Sequence, residues 1–142
     1  MKIKRISLKL YILAGIIFMY SSNIIFAENP INITRISGSD RYDTSVKISE
    51  EINNNGIISI ASGEHFADAL SAGWLATECK APLLLVKKNE VPKNVYDRIA
   101  LLKANKTALV GGKNIISNDV EKTIEATTKK IYRICIKPVF YR

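Results

Sequence analysis

The chain is poor in the residues that build common reactive centres. Its 142 residues include one histidine, two cysteines and one tryptophan. Two cysteines do not make a disulfide scaffold in a chain of this size. Cys79 and Cys135 also form no Cys-x-x-Cys pair and no metal-ligand spacing. Cys79 falls in an expected helix and Cys135 in the C-terminal tail, so each reads as a lone small residue. His65 has no second ligand near it in sequence. No serine sits in a Gly-x-Ser-x-Gly elbow. No Gly-x-Gly-x-x-Gly follows the first expected strand, so a dinucleotide site lacks its phosphate turn. On these grounds no catalytic residue, metal or cofactor is assigned.

Acidic residues are missing before Glu28, where Lys2, Lys4, Arg5 and Lys9 make a basic start. Leu10 to Tyr20 is apolar apart from Gly15, Ser21-Ser22-Asn23 breaks the run, and Ala27 offers a small residue for cleavage. This order describes a secretory signal peptide over residues 1–27. The alternative is an uncleaved anchor, but the run is interrupted and at the short limit for a bilayer. Four of the 21 basic residues leave with the signal, so 17 basic face 13 acidic residues, a net of +4. That balance is mild, and it excludes the dense cationic face of a nucleic-acid binder. It suits a secreted protein near an anionic wall or membrane polymer, and many proteins with neutral partners share the same balance.

After a short leader at 28–32, strand and helix patterns alternate. Ile33 to Ser37 reads as a strand, and Arg41 to about Asn54 as a helix with Tyr42, Val46, Ser49 and Ile52 on one face. Ile57–Ala61 is a β-branched run. His65 to about Cys79 is a small-sided helix whose expected buried face is Phe66, Ala69, Leu70, Gly73 and Trp74. Leu83–Val86, with no polar alternation, reads as a strand buried on both faces. Pro92 opens a helix with Val95, Ile99 and Leu102 inside. Thr107–Val110 is a strand, Ser117 caps a helix with Val120, Thr123, Ile124 and Thr127 facing in, and Lys130 to Ile134 is a last strand. Five strands alternating with four helices predict an α/β fold, a parallel sheet with helices on both faces. Gly38, Gly63 and Gly111 follow strands and are expected on the sheet's C-terminal edge.

The stretch Arg35-Ile36-Ser37-Gly38-Ser39-Asp40-Arg41 carries the chemistry. Gly38 permits a φ that other residues resist, and Ser39 or Asp40 can cap the helix. A strand running into a polar helix start is a common anion site. Guanidinium groups pair well with phosphate and carboxylate. The competing reading pairs Arg41 locally with Asp40 or Asp43. Asp68 is expected to accept hydrogen bonds from a neighbouring loop such as that at Gly38. Trp74 is expected to pack helix on sheet. A weak internal repeat also shows: Ile33-Thr34-Arg35-Ile36 is echoed by Ile131-Tyr132-Arg133-Ile134, and the echo fails from Cys135 onward.

Four segments in order resemble a known family. Arg35 to Ser45, Gly63-Glu64-His65-Phe66-Ala67-Asp68-Ala69-Leu70-Ser71-Ala72, Ala81 to Val86, and Val110-Gly111-Gly112 with Ile116, Ser117 and Val120 resemble the cell wall-binding repeat type 2. That repeat occurs in surface-layer and other wall proteins of clostridia and related Gram-positive bacteria. The resemblance covers about Ile33 to Ile134. It implies a Rossmann-like, non-catalytic module. Such modules typically pack as three tandem copies in a pseudo-threefold trimer and attach non-covalently to an anionic wall polymer. It gives a domain plan of signal peptide at 1–27, leader at 28–32, one repeat at 33–130, and the start of a second repeat at 131–142, truncated or frameshifted. Arg35, Ser37, Gly38, Asp40 and Arg41 are the expected polymer contacts, in a protein that is secreted and held at the cell wall. Expected partners are the polymer and adjacent like repeats, not nucleic acid. The alternatives are a small α/β hydrolase or nucleotide-binding domain using His65 and Asp68, and a purely structural assembly module.

Overall fold

The structure, a computed structural model, describes residues 32–53 and 55–135. The expected signal peptide and the tail from Ile136 lie outside the described residues, in which no helix is long and apolar enough to cross a membrane. The chain divides into two units, Met1–Thr34 and Arg35–Arg142. Of the first, residues 32–34 are described, exposed and without helix or strand.

The second unit runs α1 (Arg41–Glu50), β1 (Ile57–Ser62), α2 (Phe66–Glu78), β2 (Leu83–Val86), α3 (Lys93–Leu102), β3 (Lys106–Val110), α4 (Asn118–Glu125) and β4 (Ile131–Ile134). The four strands form one parallel sheet in the order β2-β1-β3-β4. Alternate residues point to opposite faces, so the register sorts the core. Ile58, Ile60, Leu84, Val86 and Leu109 share one face with Val46 of α1, Val95 and Ile99 of α3, and Val120 and Ile124 of α4. Ala61 and Val110 share the other face with Ala72 of α2, against which Ala69, Leu75, Leu83 and Leu85 pack. Helices therefore cover both faces, three on one and α2 alone on the other.

Two helices start as the sequence predicts. Asp40 caps α1, its Oδ1 accepting from Asp43 N at 2.8 Å, and Ser117 caps α4 by accepting from Val120 N. Pro92 stands one place earlier than expected, as the cap of α3. Thr123, expected inside, is exposed.

Three expectations are corrected. Ile33–Ser37 is not a strand; residues 32–38 carry no regular structure. The place beside β3 is filled instead by Ile131–Ile134, which carries the same Ile-x-Arg-Ile pattern. The α2 face is also different: Phe66, Leu70 and Trp74 are 80%, 70% and 69% exposed, and Ala72 and Ala76 are buried. A lone helix lies close on this face by presenting alanines, and its large side chains point away. Finally, β2 is an edge strand with Leu84 and Val86 buried and Leu83 and Leu85 only half-covered. Its apolar run reflects α2 on one face and the main core on the other. The β2 rim is shielded by α1, where Ser45 Oγ accepts from Leu85 N at 3.2 Å.

Candidate functional site

Strand order changes direction between β1 and β3, the place where open α/β sheets form a crevice at the C-terminal ends of the strands. Gly63 follows β1 and Gly111 follows β3 on that edge. Gly38 follows no strand, but α1 is brought to the same edge. Arg41 Nη1 donates to Gly63 O at 2.6 Å. A Cβ on Gly63 would lie 2.7 Å from Tyr42 Cε1 and 3.2 Å from Arg41 Cδ, so the missing side chain lets α1 dock. Burial there, and then the nearby Glu64 carboxylate, raise the Tyr42 phenol above its ordinary pKa. Arg41 forms no ion pair with Asp40 or Asp43 among the described residues.

The turn before α1 is folded on itself. Ser39 N donates to Asp43 Oδ2 at 2.8 Å, Gly38 N to Thr44 Oγ1 at 3.0 Å, and Lys47 Nζ to Ser37 O at 2.9 Å. A Cβ on Gly38 would meet Asp43 Oδ2 and Thr44 N at 2.5 Å. Gly38 is thus required by this close approach. Its φ is not left-handed, a correction to the sequence expectation; Gly56 and Gly111 are the described glycines with positive φ. The Ser39 N–H, ahead of Asn94 and Lys47, holds the Asp43 carboxyl below its ordinary pKa. The positive end of α1 is therefore met by the protein's own carboxylates.

Asp68 does the same in the first turn of α2. Its Oδ2 lies 3.4 Å from the Cβ position of Gly111, so its neighbour is the β3 turn and not the loop at Gly38. His65 is the exposed cap residue of α2 with no side-chain capping bond. No hydrogen bond joins His65 to Asp68 among the described residues, and no group of three His, Cys, Asp or Glu side chains there is placed to hold a metal. Trp74 packs on no sheet, being largely exposed.

The five expected contact residues therefore have distinct settings. Ser37 O, Gly38 N and Asp40 Oδ1 are engaged within the turn. Arg41 is tied to Gly63 through one nitrogen and is otherwise exposed. Arg35 is exposed and has no side-chain partner among the described residues. Sequence reasoning missed a third arginine setting. Arg133 of β4 is clamped by Glu121 Oε2 (2.8 Å to Nη2, 3.2 Å to Nε), Gly111 O (3.0 Å) and Ile116 O (3.1 Å). The echo of Arg35 at Arg133 was the signal for it.

Several known proteins are similar to this chain. N-acetylmuramoyl-L-alanine amidase LytC of Bacillus subtilis (strain 168) is 30% identical over 104 residues, 72% of this chain and 21% of that protein. Among solved structures, Cwp6 from Clostridium difficile superposes with a TM-score of 0.65 at 27% identity over 73% of this chain and 17% of that one. Cwp8 from Clostridium difficile does so with a TM-score of 0.64 at 26% identity over 74% and 18%. The chain thus spans about a fifth of the length of each. Residues 35–121 match the family Cell wall binding domain 2 (CWB2). The chain belongs to that family and carries a cell-wall-binding module.

Proposed function

We propose that this module is the non-catalytic anchor of a secreted protein, holding it to an anionic secondary polymer of the cell wall in company with like repeats. The family match over residues 35–121 carries the reading. Export is supported by the basic, apolar and small-residue order of residues 1–27.

Polymer contact is placed on side chains at the C-terminal edge of the sheet, since the N–H groups of Gly38, Ser39 and Asp43 are already engaged. Arg41, held at Gly63 with an exposed guanidinium, is the leading contact. Lys87 and Lys88, just past β2, extend the same edge, Lys87 sharing its charge with Glu90 at 2.8 Å. Packing against like repeats, in a trimeric arrangement, is supported by the outer stripe of α2. Phe66, Leu70 and Trp74 recur at helical spacing and stay exposed, as a docking face does.

The test is retention of the chain from Glu28 onward on purified walls, before and after removal of their secondary polymers. Retention should fall on stripped walls and with rising salt. Equal retention on both wall preparations refutes polymer binding. Concentration-dependent oligomers in light scattering with no retention on either wall favour the assembly module, which the α2 stripe alone also supports.

A further inference from the structure

Two segments of this chain share one pattern, and the described sheet has one place for it. Ile131-Tyr132-Arg133-Ile134 lies parallel to β3, pairing Thr107 with Ile131, Ala108 with Tyr132, Leu109 with Arg133 and Val110 with Ile134. Ile33-Thr34-Arg35-Ile36 has the same order of β-branched residue, variable residue, arginine and isoleucine. We propose that Ile33–Ser37 is a donor strand: in a second copy of this chain it replaces β4 beside β3, and Arg35 enters the socket that Arg133 fills here. This deepens the packing against like repeats proposed above and does not depend on polymer binding.

The socket makes the argument specific. Every group that holds the Arg133 guanidinium comes from outside β4: the Glu121 carboxylate of α4, Gly111 O of the β3 turn and Ile116 O of the following loop. The Arg133 side chain is 11% exposed and that of Glu121 21%. Any parallel strand that delivers an arginine opposite Leu109 satisfies the same acceptors. The other positions agree. Ile131 packs against the main core, and Ile33 supplies the same side chain. Tyr132 is exposed, so Thr34 at its place loses no core contact. The backbone bonds at the two ends of the pairing, Thr107 N to Lys130 O and Gly111 N to Ile134 O, ask only for carbonyls of the incoming strand.

The donor is also free to act. Arg35 has no side-chain partner among the described residues, Ile33 is 84% exposed and Ile36 40%. Its own unit grips the segment from Ser37 O, through Lys47, onward. As in domain swapping, a segment that fits a place already built into the fold joins protomers with few new contacts. The tethered β4 competes at a high effective concentration, so removal of Arg133 should tilt the exchange towards the donor.

The test is cysteine trapping in the full chain with Cys79→Ala and Cys135→Ala. One chain carries Thr34→Cys and the other Ala108→Cys, the pair that the register sets side by side. Each mixture is oxidised with Arg133 intact and with Arg133→Ala. A mixed disulfide is expected, roughly tenfold more of it with Arg133→Ala, and Arg35→Ala in the Thr34→Cys chain should abolish the gain. Ile33→Cys, one residue out of phase, should trap poorly with Ala108→Cys. If Arg133→Ala prevents folding, the Arg133-intact mixtures still decide, as the yield should rise with protein concentration and fall with Arg35→Ala. No trapping in either background, or trapping indifferent to Arg35 or to phase, overturns the proposal. Trapping to Tyr132→Cys but not to Ala108→Cys also overturns it, because the segment would then add outside β4. No wall enters this experiment, so loss of polymer binding leaves its result intact.

Discussion

Arg133→Ala should be among the most damaging substitutions in the module, although Arg133 stands on an edge strand of four residues. It removes two bonds to Glu121 and two to backbone carbonyls. Neutral hydrogen bonds contribute about 1 kcal/mol each and those to charged groups about 1.5–3. Water reaching Glu121 repays part of the loss, so we expect about 2–4 kcal/mol of destabilisation. For a domain of this size that lowers Tm by roughly 10–20 °C. A second ion pair supplies the control. Lys93 Nζ lies 2.7 Å from Asp97, as close as Arg133 lies to Glu121, but the side chains are 88% and 57% exposed. Lys93→Ala should leave Tm unchanged within error, because an exposed pair is solvated and screened.

The same pair sets a pH dependence. Hydrogen bonding from Arg133 is the largest influence on the Glu121 carboxyl and holds its pKa below the ordinary 4.5, against the opposing effect of burial. A carboxyl depressed by folding adds stability that is fully present above its unfolded pKa and is lost as pH falls through the folded one. Melts from pH 7 down to pH 3 should therefore weaken below about 4.5 in the parent chain. Glu121→Gln should lose stability at neutral pH and show a shallower acid decline. Asp43 keeps a residual slope of the same sign in both chains, since the Ser39 N–H lowers its pKa. An Arg133→Ala melt within about 3 °C of the parent, or an unchanged acid slope in Glu121→Gln, refutes the reasoning.

Three further predictions concern single groups. Gly38→Ala should cost about 1–3 kcal/mol in urea melts, because its Cβ would meet backbone and carboxylate atoms. Gly73→Ala, with nothing within 4 Å of its Cβ position, should stabilise α2 by about 0.5–1 kcal/mol. Thr107 Oγ1 is buried without a partner among the described residues, so Thr107→Val should raise stability by about 1 kcal/mol; a lower Tm would show that the hydroxyl is satisfied.

The alternation of elements was legible because each strand and helix carries its own period. Val95, Ile99 and Leu102 read as the inner face of α3 and are buried there. The misreadings have one physical origin, which is that local pattern does not name the partner. α2 has two apolar faces, one of alanines and one of Phe66, Leu70 and Trp74. Size suggested that the bulky face was the core. Proximity to a flat sheet face selected the small one. Ile33–Ser37 has strand character, but a strand exists only where an edge accepts it, and Arg133 takes that edge through acceptors distant in sequence. Gly38 was legible as necessary, yet its reason, the approach of Asp43 and Thr44, lies in the folded turn. In the site, Arg41 was legible as a cation but not its tie to Gly63 across 22 residues.

The charge arrangement bears on how such a module would hold a long polymer, as proposed above. Arg41, Lys87 and Lys88 share their end of the unit with Asp40, Asp43 and Glu64, and the first turns of α1 and α2 carry their own carboxylates. Among the described residues this surface offers no enclosed anion cradle, and each contact with phosphate or carboxylate would be exposed and weak. A flexible polyanion offers many equivalent groups, however. Several weak edges held at fixed spacing gain avidity of about 10²–10⁴ over one. Affinity would then reside in the number and geometry of units more than in any residue of one. The exposed α2 stripe and the Arg133 socket are the features that would set that geometry under the packing proposed above. On this reasoning, a substitution in the Arg133 socket should weaken wall retention through the arrangement of units, even though the Arg133 guanidinium is clamped inside its own unit.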